Sequence, residues 1–365
     1  MNKDWKKRIQ AMAWSALLCT MTAQTAQAQT QTSLYQPGVT TDGAVYFLPQ
    51  TAVQFMITVE KTSYRPGEFA RFAQRHLRLN NVSLEPSTSY RVLDIIPVGV
   101  GVADTTKAFA VKFNAKTVAA NVSLADDGVL LAINTEPLAV PKPAPFKAGR
   151  KPAAIDPHQY MNEEILSAGS TAKMAELTAR EIYDLRENRS LLIKGQADFM
   201  PSDGEQMKLM LAQIDQQDKA LTQLFQGYID RDTTEHIITL IPTKSINRSV
   251  LFRLSERAGL VDADDLRGKP YYVSISDITS LPTNPDAKAK KRKLVDTGIY
   301  VNVPGRMRIT IEHDERVLST TEMEAGQFGN VELVSGDLFN KHYTTRLWLD
   351  PVSGAVNRLE GEQPK

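Results

Sequence analysis

The sequence predicts an α+β protein with mostly antiparallel β regions at both ends and a central helical hairpin. Apolar and polar residues alternate before residue 137 and after residue 230, whereas helical spacing occurs between residues 161 and 229. Prolines cluster between these regions, which excludes a helix or a central strand there and favours an extended connector. We therefore divide the chain into a signal segment (1–28), a β-rich region (29–136), a connector (137–160), a helical hairpin (161–229) and a second β-rich region (230–365).

The alternation that predicts strands is clearest early in the first β-rich region. Val53, Phe55, Ile57 and Val59 are separated by mostly polar residues, so we expect one buried and one exposed face. Further elements in this region are a short helix at 69–77 and strands at 90–102, 108–113 and 129–133. In the second β-rich region, strands are predicted at 236–241, 249–254, 271–275, 298–303, 306–312, 330–333, 344–349 and 355–359.

Two capping boxes mark the helices of the central hairpin. Thr178 with Glu181, and Ser202 with Glu205, have the spacing at which a hydroxyl and a carboxylate satisfy each other's backbone N–H groups. We therefore expect one helix to begin at Thr178 and a second to begin just after Pro201. The two helices would be joined near residues 198–201.

Two segments of the sequence echo each other. Residues 43–49 and residues 298–304 each run from a glycine to a proline, and an alternating strand follows each of them. The spacings differ by one and then by three residues, so chance and an internal duplication both stay open. A duplication would place two similar β units on either side of the helical hairpin.

The first 28 residues have the three parts of a signal peptide in order. Lys3, Lys6, Lys7 and Arg8 form a positive segment, an apolar stretch follows, and a small-x-small cleavage site ends at Ala28. The apolar stretch is shorter than the ~20 residues that a membrane-spanning helix needs. We therefore predict export to the periplasm or the outer membrane, cleavage near Ala28, and no membrane span.

Cleavage at this site would change the chemistry of the chain. It would remove Cys19, the only cysteine, which excludes disulfides, thiolate metal sites and cysteine nucleophiles. It would also remove four of the 43 basic residues and one of the 42 acidic residues, which leaves a net charge of about −2. A nearly neutral surface argues against nucleic acid as a partner.

Candidate catalytic and metal-binding motifs are weak. His313 precedes two carboxylates on a predicted strand, where neighbours point to opposite faces, so a polar strand end is favoured over a metal site. Residues 262–265 lack the glycine and the bidentate glutamate of a calcium loop and are interpreted as a capped turn. Residues 98–102 contain only two of the glycines of a phosphate-binding loop and are interpreted as a strand end. We therefore assign no metal, no cofactor and no catalytic residue.

Two features are candidate interaction surfaces. The first is a basic run that comprises Lys288, Lys290, Lys291, Arg292 and Lys293. In its predicted loop, this run either contacts anionic lipid headgroups or acidic glycan, or is a solvated loop that protects a strand edge. The second is Trp348, which alternates with Leu347 and Leu349 and is either buried between layers or a surface anchor for a partner.

Four segments resemble a family of exported proteins of unknown function from Bacteroides-type bacteria. They are VEKTSYRPGEF at 59–69, AREIYDLRENR at 179–189, MPSDGE at 200–205 and LDPVSGA at 349–355. The resemblance covers nearly the whole chain after the signal segment and implies export and one recurring architecture, without an assigned activity. We therefore predict a non-catalytic binding or scaffold module whose partner is an envelope protein or glycan. The alternative is an envelope hydrolase that acts on glycan or peptide through an unrecognised active site.

Overall fold

Antiparallel strands dominate the computed structural model, which describes residues 31–35, 44–112, 121–140, 145–149, 155–280, 296–339 and 344–362. About 50% of the structure is strand and about 23% is helix. The strands form two sheets and most helical residues lie in one hairpin, so the predicted α+β class is confirmed. The proposed signal segment lies outside the described residues.

Strands precede and follow the helical hairpin along the chain. The strands are β1 (Gln31–Leu34), β2 (Ala44–Arg65), β3 (Ser87–Lys112), β4 (Val122–Leu124), β5 (Leu130–Ile133), β6 (Tyr228–Leu240), β7 (Ile246–Ser255), β8 (Gly259–Val261), β9 (Lys269–Asp277), β10 (Asp296–His313), β11 (Arg316–Ser335), β12 (Thr344–Leu349) and β13 (Val356–Glu362). The α-helices are α1 (Ala73–Leu77), α2 (Glu163–Leu166), α3 (Thr171–Lys194) and α4 (Gly204–Gln226). Short 3₁₀ helices span Ala70–Phe72, Pro157–Tyr160 and Gly336–Phe339.

The strands are arranged in a large and a small sheet. The large sheet has the order β6-β2-β3-β1-β10-β9-β7-β8, and β11 also pairs with β10. The small sheet has the order β13-β12-β5-β4. Two long hairpins, β2–β3 and β10–β11, form most of the large sheet, so strands from both predicted β-rich regions share it.

The main core lies where the two long hairpins face each other. The alternating residues of β2 that the sequence singled out, from Val53 to Val59, are all buried. They belong to one apolar cluster with Met307, Ile309 and Ile311 of β10 and with residues of β7 and β9. Full burial of each such side chain contributes about 1.5–3 kcal/mol relative to exposure, so this cluster holds the two halves of the sheet together.

A second core joins the small sheet to the first halves of β2 and β10. Tyr46, Phe109, Leu130, Ile299 and Leu347 are buried together in it. Burial and the loss of hydration raise the pKa of the Tyr46 phenol, whose hydroxyl is held by the backbone of β10. The small sheet is thereby anchored to both long hairpins.

The two long hairpins share an irregularity in their pairing. In β2–β3, Leu48 stands opposite the four residues 104–107. In β10–β11, Pro304 stands opposite the four residues 326–329. Each hairpin has a further, smaller register shift toward the end of its first strand. The segments that echo each other in sequence therefore lie in hairpins with the same pattern of bulges.

The glycines at 99 and 101 lie in the middle of β3, so the predicted strand end at 98–102 is wrong. A Cβ on Gly101 would lie 2.0 Å from the carbonyl oxygen of Pro351, and one on Gly99 would lie 3.2 Å from the Val352 side chain. These glycines therefore mark a place where another backbone approaches a strand closely. That backbone is the turn between β12 and β13.

The predicted connector does not remain extended to its end. Pro157 begins the 3₁₀ helix Pro157–Tyr160, and the Asp156 side chain caps it by accepting a hydrogen bond from the backbone N–H of His158. Proline suits the first helical position because its φ is fixed at a helical value and its missing N–H is not needed there. Within the described residues, no helix is both long and apolar enough to cross a membrane.

Candidate binding site

The helical hairpin begins at Thr171, so the predicted start at Thr178 is wrong. Ser170 is the N-cap, and its hydroxyl accepts a hydrogen bond from the backbone N–H of Lys173 at 3.3 Å. Thr178 is buried inside α3, where its hydroxyl donates to the Met174 carbonyl at 2.8 Å. A threonine that satisfies its hydroxyl in this way is tolerated within a helix, although the same residue also favours caps.

The second helix of the hairpin begins where the sequence predicts, although its cap is displaced by one residue. Asp203 is the N-cap and accepts a hydrogen bond from the backbone N–H of Gln206 at 2.7 Å. The Gln206 side chain in turn accepts bonds from the backbone N–H and the hydroxyl of Ser202, at 3.0 and 2.9 Å. The preceding helix ends at Lys194, and its C-cap Gly195 has a φ of 67° that glycine adopts without strain.

Ion pairs join the two helices along their exposed side. Arg186 contacts Asp218 at 3.1 Å, and Arg189 contacts Asp215 at 2.6 Å. These pairs make the run from Arg186 to Arg189 a salt-bridged helix face. Because these pairs are exposed to solvent, they add little to the stability of the fold, and they link α3 to α4.

One end of the hairpin is buried against the segment that follows β2. Phe69 and Phe225 are fully buried with their rings 5.4 Å apart, and the Phe69 N–H donates to the Leu224 carbonyl at 2.7 Å. A Cβ on Gly67 would lie 2.2 Å from that same carbonyl oxygen, so the chain can pass α4 this closely only at a glycine. This end, the hairpin base, is fixed to the large sheet.

A histidine fastens the connector to the hairpin base. The two ring nitrogens of His158 each lie 3.2 Å from a carboxylate, one of Asp156 and one of Glu68. The hydrogen bond to Asp156, followed by that to Glu68, raises the pKa of His158 above its ordinary value. When it is protonated, the ring links the 3₁₀ helix to the chain that leaves β2 through both carboxylates.

The opposite end of the hairpin exposes large apolar side chains. The exposed fractions are 56% for Ile193, 77% for Phe199, 41% for Met200 and 70% for Leu209. Phe199 and Met200 lie in the loop between the helices, Ile193 lies at the end of α3, and Leu209 lies near the start of α4. Single exposed apolar residues are common, whereas several at one end of a hairpin are typical of an interaction surface. We call these four residues the apolar tip.

A buried polar junction ties the two long hairpins to the turn between β12 and β13. Asn302 of β10 is 1% exposed, and its Nδ2 donates to the carbonyl oxygens of Pro49 at 2.8 Å and Ser353 at 2.9 Å. Gln327 accepts from the backbone N–H of Thr51 at 2.8 Å and donates to the Thr51 carbonyl at 2.9 Å. The side chains therefore satisfy backbone groups at the bulges, where regular strand pairing is interrupted.

A shallow cleft of about 310 Å³ lies beside this junction. Its lining is mostly apolar and includes Asn302 and one titratable side chain, Glu332. Asn302 Oδ1 has no hydrogen-bond partner among the described residues. One carboxylate does not supply an acid–base pair, so the cleft gives no specific support to the hydrolase alternative.

Neither the polar junction nor the apolar tip was predicted from the sequence. For the polar junction, the available sequence signal was Asn302, a polar residue that interrupts the apolar run from Ile299 to Val303. For the tip, the signal was the adjacent pair Phe199 and Met200 in a predicted loop. Neither signal identifies a function without the exposed fractions and the contacts.

The two predicted interaction surfaces are differently placed. The basic run from Lys288 to Lys293 lies outside the described residues, and its role stays a prediction. Leu347 and Leu349 are buried at 0% and 1% exposure, and Trp348 lies on the opposite face, half-buried. The Arg358 guanidinium lies 5.2 Å from the Trp348 ring centroid, a cation–π contact within the small sheet.

The weak metal candidates have local partners in the structure. The His313 ring stacks on Tyr271 at 3.9 Å, and Asp314 lies in the hairpin turn with a φ of 46°. The Asp265 N–H donates to the Asp262 carbonyl at 3.0 Å, and the Asp265 carboxylate accepts from the Arg267 N–H at 3.0 Å, so the predicted capped turn at 262–265 is confirmed. Hydrogen bonds from Arg267 also hold the pKa of Asp265 at about 2. Among the residues that the structure describes, no group of three potential ligands is placed to hold a metal ion.

The fold and the site define an α+β protein in which a helical hairpin with an apolar tip is attached to long-stranded antiparallel sheets. The sequence matches the family described as Domain of unknown function (DUF4831) over residues 42–357, and the chain belongs to this family. A search of curated proteins and a search of solved structures each found no match. The resemblance noted in the sequence is confirmed to the extent that a family of unknown function spans most of the chain.

Proposed function

We propose that this protein is an exported, non-catalytic binding or scaffold module of the cell envelope, and that the helical hairpin is its docking element. The observation that carries the proposal is the apolar tip, where Phe199 is 77% and Leu209 is 70% exposed. The signal-peptide pattern of residues 1–28 supports the location. The two features together suggest a partner that the chain meets after export.

The contrast between the two ends of the hairpin supports docking at the tip. Phe225 is fully buried at the base, whereas Phe199 at the tip is mostly exposed. The helices are held in place by the base and by their ion pairs, so docking the tip would require little additional ordering of the backbone. Burial of one such side chain contributes about 1.5–3 kcal/mol, so the tip residues can act as the apolar anchors of a larger contact.

The chemistry of the tip favours a protein partner over a glycan. Ile193 and Leu209 are aliphatic side chains that offer no hydrogen bonds to sugar hydroxyls, and the Met200 thioether is only a weak acceptor. A helical element with apolar anchors in a groove is a recurring mode of protein recognition. We therefore propose an envelope protein with an apolar groove as the partner.

The proposal is tested by co-purification from envelope fractions of cells that express the full-length sequence. The double variant Phe199→Ser, Leu209→Ser removes the two most exposed side chains of the tip. The matched control Leu266→Ser removes a side chain that is 81% exposed in a loop far from the hairpin in sequence. We expect wild type and control to recover the same partner, and the tip variant to recover roughly tenfold less.

Thermal unfolding checks that all three proteins are folded. Because each substituted residue is exposed, we expect their unfolding midpoints to be similar. The proposal is wrong if no reproducible partner accompanies the wild-type protein, or if the tip variant recovers it as well as wild type does. Recovery of the protein only in the cytoplasmic fraction would contradict the envelope location.

A further inference from the structure

The strand β6 presents a long and uninterrupted edge. It pairs with β2 over all 13 of its residues without a register shift, and it is the terminal strand of the large sheet within the described residues. The edge of β11, by contrast, is broken by the bulge at 326–329. β6 contains no proline and no bulge, which are common devices that keep an edge strand from pairing with another chain.

The two faces of β6 differ in their contacts. Ile238 and Leu240 are directed to the inner face, where they pack against the main core. Ile229 and Ile237 belong to the opposite face and are 57% and 56% exposed. The outward residues of β6 are therefore available for contact with a strand placed alongside.

These outward residues form a self-complementary sequence. They are Ile229, Arg231, Thr233, Glu235 and Ile237. An isoleucine lies four residues before and four residues after the central threonine, and residues of opposite charge lie two residues before and two residues after it. In an antiparallel pair, residues directly opposite each other lie on the same face and contact each other. Two copies of this strand aligned at the threonine would match at all five positions.

We propose that β6 is a self-association edge at which a second copy of this chain pairs antiparallel about Thr233. In this register, Ile229 of one copy faces Ile237 of the other, and Arg231 faces Glu235, each contact occurring twice by the two-fold symmetry. The large sheets of the two copies become continuous. This inference is independent of the apolar tip and of the proposed docking function.

An apolar row on the outer face supports the same register. Ile237 pairs with Met56 of β2, which pairs with Ile96 of β3, and Ile96 is 49% exposed. In the proposed dimer, Ile229 of the second copy extends this row across the junction. An unrelated extended peptide would also find backbone partners at the edge, but the symmetric pattern of charges and isoleucines specifically fits a second copy.

Charge reversal provides a test in which failure to fold is distinguishable from failure to pair. Arg231→Glu places two acidic residues opposite each other in a homodimer, and Glu235→Arg places two basic residues opposite each other. Either variant alone is expected to weaken dimerisation roughly tenfold, because like charges on opposing strands are destabilising. A mixture of the two variants restores an opposite-charge pair at both positions.

Sedimentation velocity of the protein expressed from the full-length sequence, over a concentration series, measures the association. We expect a dimer for wild type and for the control Lys244→Glu, whose side chain is exposed in the loop after β6. We expect each charge-reversal variant to dimerise only at roughly tenfold higher concentration, and their mixture to dimerise in the wild-type range. A monomeric wild type, or a mixture that associates no better than its components, would overturn the proposal. Thermal unfolding of each variant verifies that the monomers are folded.

Discussion

At the residue scale, glycines and one asparagine explain how backbone from distant parts of the chain meets at the polar junction. Gly101 lets the turn after β12 lie on β3, and Asn302 donates to the carbonyl oxygens of Pro49 and Ser353. Sequence alternation does not reveal such positions, because they depend on which backbone comes close in three dimensions. The sequence predicted Gly101 only as part of a strand end.

Gly101→Ala tests this close approach. The new methyl group would lie 2.0 Å from the carbonyl oxygen of Pro351, so the turn must move away from β3. We expect a loss of about 1–3 kcal/mol in the free energy of unfolding, typical of overpacking. Denaturant titration measures it. The control Gly361→Ala has no atom within 4 Å of the new Cβ and should change the stability by less than about 0.5 kcal/mol.

At the element scale, the hairpin is defined by a fixed base and an exposed tip. The presence of the two helices and the start of α4 were predictable, because capping residues and helical spacing are local signals. The start of α3 was not, because Thr178 is satisfied within the helix and Ser170 supplies the cap instead. The exposed tip was not predictable from the sequence either, because the exposure of a side chain depends on what packs against each face of the helix.

The attachment of the connector at the hairpin base should depend on pH. The pKa of His158 is raised by its bonds to Asp156 and Glu68, so the folded state favours the protonated ring. This contribution is fully present below the ordinary histidine pKa of ~6.5 and is lost as the pH rises through the higher pKa of the folded state. We expect wild type to be more stable than His158→Gln at a pH of about 5.5 and the difference to shrink by a pH of about 8.5.

Denaturant titrations at the two pH values measure this difference. Asp156→Asn in place of the histidine substitution should reduce the same pH dependence, because it removes the main cause of the raised pKa. A difference between wild type and His158→Gln that does not change with pH would contradict the assigned role of the two carboxylates.

At the scale of the whole molecule, two long hairpins with matching bulges enclose the main core and are joined through the polar junction. The sequence predicted strands at both ends of the chain, but not that one sheet contains both. Strand order depends on contacts between residues far apart in sequence, such as Gln31 with Lys112 and with Thr297. The echo between 43–49 and 298–304 was the one sequence signal of the relation between the hairpins.

Under the proposed function, the sheets form a framework from which the hairpin tip would contact a partner. Photo-crosslinking in living cells detects such a contact where it forms, with a benzophenone side chain introduced in place of Phe199 or, as the matched control, in place of the 81% exposed Leu266. We predict a discrete adduct with one envelope protein from position 199 and none from position 266. The absence of an adduct at position 199, or the same adduct from both positions, would show that the tip is not the docking surface.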